Sequence, residues 1–319
     1  MRYFTGLIRF LIRQGKLTDH DPELMAAQLC LPISVWINLC DREPVREKEV
    51  MQWIERYIRR FFCAVSDGGG SMNYIRITEN NIDKEHICCA MSGKQSLAKK
   101  EWLKQRFAEG LVFYRSEERG KCFIEYIPAE NAWVPIEAEG YLCINCLWVS
   151  GAMKGHGYSS DLLDECVQDA KTQGKRGLCI LCAEGRKREF LADPKFLAHK
   201  GFLLADTSDC GITLLYLPLM EGAEPPKFKD CAKHPQTEGD GFVLYYTDQC
   251  PFTYYWVPRV EEIAKKHNIP LKTIHITTKE AAQNVPAPVT TYALFQDGTF
   301  VTQGIQSDKK FLKLAGVQG

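Results

Sequence analysis

A buried strand that runs through a glycine-bearing turn into a helix constrains this chain more than any other feature. Tyr141 to Val149 is an apolar run of strand length, and Leu162, Leu163, Cys166, Val167 and Ala170 repeat at helical spacing between Asp161 and Lys171. Between them stands Lys154-Gly155-His156-Gly157-Tyr158-Ser159. Such a connection gathers free backbone N–H groups around one point, with the positive end of the helix dipole behind them. It suits a phosphate or pyrophosphate. Glycine is wanted there because a side chain would hold the anion away from the backbone. The same glycines would also serve an ordinary strand–turn–helix.

The spacing excludes two common cradles. A P-loop needs Gly-x-x-x-x-Gly-Lys-Ser/Thr and a dinucleotide fold needs Gly-x-Gly-x-x-Gly, and neither is present. The segment from Lys154 to Ser159 resembles the acetyl-CoA motif of the GNAT N-acetyltransferases, Gln/Arg-x-x-Gly-x-Gly/Ala. Lys154 departs from Gln/Arg but keeps a cation, and Ser159 departs from Gly/Ala but stays small. Downstream, Gly177 to Ala183 reads as the next buried strand. Asp193-Pro194 opens a helix, and His199-Lys200-Gly201-Phe202 resembles the family's Gly-Phe helix end before a hairpin from Leu203 to Leu219. Upstream, Met72 to Trp133 supplies a strand, a helix around Ala98 to Phe107 and the strand Lys121 to Ile127. From Asn73 onward the chain resembles the YoaP-like acetyltransferases of bacteria.

That resemblance implies an acetyl-CoA-dependent transfer to an amine of unknown identity, with cofactor contacts from Trp148, Val149, Lys154, Gly155, His156, Gly157, Tyr158 and Ser159. The chemistry needs a base for the ammonium proton, a polarised thioester carbonyl and an acid for the departing thiolate. The family's frequent Tyr falls at Leu197 and its frequent Glu near Cys143, so neither carries over. Glu125, in the apolar run Cys122 to Ile127, is the alternative base, although it could point to solvent from the other strand face. Tyr126 or Tyr216 is the alternative acid. A non-catalytic acyl-CoA-binding regulator and a thiol-dependent redox protein are the competing readings.

The flanking segments read differently. Before the linker Asp67 to Ser71, two apolar helices are expected. One opens at Asp21-Pro22, with Pro32 as a kink, and the other carries Val50, Met51, Ile54, Tyr57, Ile58, Phe61 and Phe62 as a stripe. The segment resembles the C-terminal dimerisation helices of TetR-type repressors, which implies a homodimer; the family's DNA-binding motif is absent, and Arg56, Arg59 and Arg60 read as a solvated face. After a second seam at 221–241, strand, Cys250-Pro251 at a helix start, helix, strand, Ala287-Pro288 and hairpin resemble the thioredoxin fold. That resemblance makes Pro288 a cis proline facing Cys250 and Cys250 a possible thiol site. Thr253 stands where a second thiol would be, so a retired redox fold is the preferred reading.

The fold class is therefore α/β and multi-domain: helical segment 1–67, mixed GNAT sheet with flanking helices 72–220, thioredoxin-like domain 240–319. Lys and Arg number 40, as do Asp and Glu, which favours neither nucleic acid nor an anionic membrane as partner. No apolar run reads as long enough to span a bilayer. The 14 cysteines fall mostly in strands and apolar helix faces, as reduced thiols in a cytoplasmic protein would. Cys143/Cys146 and Cys179/Cys182 have zinc-knuckle spacing, but within strands residues three apart face opposite ways. Core packing is expected there and no metal.

Overall fold

The computed structural model describes residues 2–14, 17, 20–42, 44–65, 72–87, 89, 93–185 and 189–317. The chain divides into two units, Met1–Asn73 and Tyr74–Gly319. The expected linker residues 67–71 and the side chains of Arg56, Arg59 and Arg60 lie outside the described residues.

The first unit is helical: α1 (Arg2–Arg13), α2 (Pro22–Arg42) and α3 (Glu47–Val65). Asp21 caps α2, its Oδ1 accepting from the Glu23 N–H at 2.8 Å. Pro32 lies inside α2 and has no N–H to give the Gln28 carbonyl; the Tyr57 hydroxyl on α3 donates to that carbonyl instead. Ile8, Met25, Ala26, Leu29 and Phe61 form the core, while Leu31 and Val35 on α2 and Met51 on α3 are exposed. Against expectation, α2 is long and apolar enough to cross a membrane by length and composition. The reason is that no charged residue interrupts it from Leu24 to Cys40.

The second unit is built on two sheets. The larger has seven strands: β1 (Tyr74–Ile77), β2 (Val112–Ser116), β3 (Lys121–Pro128), β5 (Tyr141–Ser150), β6 (Gly177–Cys182), β7 (Leu203–Thr207) and β8 (Thr213–Pro218), in the order β1-β2-β3-β5-β6-β8-β7. Only β5 and β6 run parallel; every other neighbour is antiparallel. Helices α4 (Lys94–Phe107), α5 (Tyr158–Thr172) and α6 (Pro194–His199) flank it. On α5, Leu162, Leu163, Cys166 and Ala170 are buried, the stripe the helical spacing requires. After the hairpin come β9 (Lys227–Phe228), which pairs back with β4 (Ile136–Glu137), and helix α7 (Asp230–Lys233).

The smaller sheet comprises β10 (Phe242–Tyr246), β11 (Leu271–His275), β12 (Tyr292–Gln296) and β13 (Thr299–Thr302), in the order β11-β10-β12-β13. β10 and β11 are parallel and the other neighbours antiparallel. Helix α8 (Pro251–Lys266) connects β10 to β11, with α9 (Lys279–Ala282) and α10 (Asp308–Leu314) completing the unit.

The seam expected at 221–241 does not separate compact units. Trp133, from the first-sheet segment, packs among Val243, Ile276, Val285 and Phe295 of the second sheet's core. Its carbonyl accepts from the Thr290 hydroxyl, and Lys279 Nζ reaches Asn131 Oδ1 at 2.9 Å. Side chains that close one core are thus supplied by the other sheet's segment, and the two fold as one unit.

Candidate active site

β5 and β6 part company at the point where a site can form. Their parallel pairing covers Tyr141 to Ile144 against Gly177 to Ile180, yet β5 continues to Ser150 and β6 to Cys182. On the other side β5 keeps its partner β3 to the end, with a bulge where Asn145 has no opposite residue. The β6-facing edge of β5 beyond Ile144 therefore lacks a strand partner. Backbone groups there remain available to a ligand.

The turn after β5 matches the expected cradle. Gly155 and Gly157 have φ of 86° and 83°, left-handed values that glycine adopts without strain. Gly157 is the N-cap of α5, and a Cβ at either glycine would project into open space. Glycine is thus required here by conformation, and the open space beside it leaves room for an anion.

A cavity of about 1110 Å³ joins these features. Of the expected cofactor contacts, Trp148, Val149, Lys154, Gly155 and Ser159 line it. His156 and Tyr158 stack on each other in the turn, rings 5.4 Å apart, and with Gly157 they stand outside that lining.

Glu125 lies inside the cavity and is 1% exposed, so it does not point to solvent. Its Oε2 meets Lys99 Nζ, on α4, at 2.5 Å, and its Oε1 accepts from Asn145 Nδ2 at 3.0 Å. Lys99, 2% exposed, also donates to the Gln249 carbonyl at 2.7 Å. The pair is mutually neutralised and bound on three sides, the condition under which buried charges persist.

Tyr126 is the neighbour of Glu125 on β3 and faces the opposite side, as the alternation of a strand demands. Its hydroxyl donates to Asp169 Oδ2 on α5 at 2.5 Å, and burial pushes its phenol well up. Tyr216 packs edge-on to Tyr141 at 6.4 Å. Neither lines the cavity, so neither is placed to act as acid. Leu197 is fully buried, and Cys143 sits in register with Cys179 in the core.

Cys250 is the N-cap of α8 and lines the same cavity. Burial pushes its thiol up to about 11, against the lowering effect of the Phe252 N–H and of Lys99. That is the opposite of an activated thiolate. The expected cis bond at Pro288 is not found: no described peptide bond is cis. Pro288 is buried, and it is Val289, Thr290 and Thr291 after it that reach the cavity. Sequence reasoning missed Lys99, Asn145, Gln249, Phe190 and Phe252, all of which line this space.

A family model described as YoaP-like matches residues 270–313. The protein of Bacillus subtilis (strain 168) named uncharacterized N-acetyltransferase YoaP is 45% identical over 247 residues, covering 76% of this chain and 98% of its own length. A GNAT-family acetyltransferase of Staphylococcus aureus Mu50 superposes with a TM-score of 0.35 at 13% identity, over 47% of this chain and all of that one. YncA of Salmonella typhimurium, a putative acetyltransferase solved with its cofactor acetyl-CoA, does so with a TM-score of 0.35 at 16% identity, over 49% and 98%.

Proposed function

The chain belongs to the YoaP-like N-acetyltransferases, and from its cavity we propose that it transfers the acetyl group of acetyl-CoA to an amine through the cleft between β5 and β6. The observation that carries this reading is the parting of β5 from β6 beside the two left-handed glycines, within one cavity. The pyrophosphate would sit on the N-terminal turn of α5 with Lys154 as its cation. The pantetheine amides would pair with the free edge of β5, bringing the thioester toward Glu125.

Transfer then needs position and a proton acceptor. The amine nitrogen bonds to the carbonyl carbon and the C–S bond breaks. The nitrogen gives its proton to the Glu125 carboxylate, and the CoA thiolate leaves to take a proton from water. Lys99 is a positioning residue: with Asn145 it fixes the carboxylate, and the Gln249 carbonyl keeps it satisfied when Glu125 is protonated. Calorimetric titration with acetyl-CoA, followed by release of free CoA with an amine panel, tests the reading. Absence of binding by the folded protein would sink it.

The order of β10 to β13 with α8 and α10 supports a thioredoxin-like C-terminal fold whose redox chemistry is lost, since Cys250 is half-buried and held as a thiol. The exposed Leu24, Leu31, Val35 and Ile37 on α2 support a homodimer through the first unit. Free cysteines throughout the described residues support a cytoplasmic address.

A further inference from the structure

Four aromatic rings mark out one wall of the cavity. Phe123 and Trp148 lie 6.4 Å apart, Trp148 and Phe252 6.3 Å, and Phe252 and Phe190 6.2 Å. All four line the cavity. The wall begins at Phe123, fully buried and two residues from Glu125, and ends at Phe190, which is 53% exposed. The rings thus form one continuous aromatic stretch from beside Glu125 to the exposed Phe190.

Phe190 is unusual on its own account. It has φ of 64°, one of only three non-glycine residues with positive φ among those described. A bulky side chain in that region is strained, and such strain persists where surrounding structure enforces it, often at ligand-binding positions. Here it coincides with a large apolar ring held at the cavity mouth.

The charges in the cavity narrow the occupant further. Among the described lining residues at this end, Lys99 is paired with Glu125 and Lys310 with Glu189 at 2.9 Å, while Asp193 caps α6. Among the described lining residues at this end, no cation is left over for a substrate carboxylate and no carboxylate for a second ammonium. The rings, in contrast, offer flat surface for stacking, and Lys121 Nζ already stands 4.3 Å from the Trp148 ring centroid as its cation–π partner.

We propose that the acceptor is a monoamine carried on an aromatic body, which lies along Trp148, Phe252 and Phe190 with its nitrogen toward Glu125. This rests on the acetyl-transfer reading and gives the C-terminal sheet a share in substrate choice, because Phe252 comes from α8. Amino acids and polyamines are disfavoured by the same arrangement.

The test compares 2-phenylethylamine with its saturated counterpart 2-cyclohexylethylamine, with phenylalanine and with spermidine, following CoA release by the full chain. A kcat/KM about three- to tenfold higher for the aromatic amine than for the saturated one is expected from ring stacking. Phe190→Ala and Phe252→Leu should abolish that preference, mainly through KM, without changing the calorimetric affinity for acetyl-CoA. Phe190 is too exposed to be needed for folding, so its variant remains informative if Phe252→Leu is unstable. If acetyl-CoA binds but 2-phenylethylamine is no better than the saturated amine, or spermidine or phenylalanine is preferred, the proposal is overturned while the acetyltransferase reading stands. If acetyl-CoA does not bind, both fall.

Discussion

The ammonium of Lys99 and the carboxylate of Glu125 meet at 2.5 Å inside the cavity, both almost wholly out of solvent. Two charges so placed cannot be treated as a surface pair of negligible worth. Their attraction offsets a large desolvation cost, and removing one strands the other.

Three variants separate structure from chemistry at this pair. Lys99→Met should destabilise the protein by about 3–5 kcal/mol, because it leaves Glu125 buried and uncompensated. The double variant Lys99→Met, Glu125→Leu should recover much of that loss, measured by urea unfolding. Glu125→Gln keeps the shape and the Asn145 contact but cannot take a proton, so kcat should fall roughly 10²- to 10⁴-fold with acetyl-CoA affinity unchanged. A variant retaining full kcat would remove Glu125 from the base role.

The cradle makes a separate prediction. Gly155→Glu adds strain at a left-handed residue and sets a carboxylate where an anion should bind. Calorimetric affinity for acetyl-CoA should drop at least tenfold, while the stability loss should stay near the roughly 1–2 kcal/mol of the left-handed backbone, because the added Cβ meets nothing. Unchanged affinity in the folded variant would place the pyrophosphate elsewhere.

At Cys250 the prediction concerns pH. With the thiol pushed to about 11, roughly one thiol in ten thousand is ionised at pH 7, against a few per cent for an ordinary cysteine. Because the charged form is the disfavoured one, reactivity grows as pH rises: iodoacetamide labelling, followed by peptide mass spectrometry, should speed up about tenfold per unit until near pH 11. Rapid labelling at pH 7 would revive a redox role.

What could be read from the sequence was local. The turn at Gly155 and Gly157 and the stripe on α5 declare themselves within twenty residues, through backbone conformation and helical period. Lys99 does not, because its partners Glu125 and Gln249 lie 26 and 150 residues away and only the fold joins them. Phe190 and Phe252 escaped notice for the same reason, since each looks like any apolar residue until the two meet. The Tyr126 assignment failed on a rule that was available: adjacent residues of a strand face opposite ways, so Glu125 and Tyr126 cannot both serve one cavity. The second seam looked like a linker by composition, yet Trp133 had already committed its ring to the other sheet's core.

The first unit carries the last prediction. Its helices bury Ile8, Met25 and Leu29 but leave Leu31 and Val35 more than 60% exposed on α2, at an i, i+4 spacing that puts them on one face. In the proposed homodimer a second copy would cover that face through an isologous contact. Leu31→Glu with Val35→Glu should therefore convert the full-length protein from dimer to monomer in light scattering without loss of helix content, since neither side chain belongs to the unit's core. Acetyl-CoA binding should survive, because every cavity-lining residue lies in Tyr74–Gly319. The unmodified chain running as a monomer would exclude the dimer. Recovery of the unmodified chain with sedimented membranes, lost in the double variant, would assign the apolar face of α2 to lipid instead.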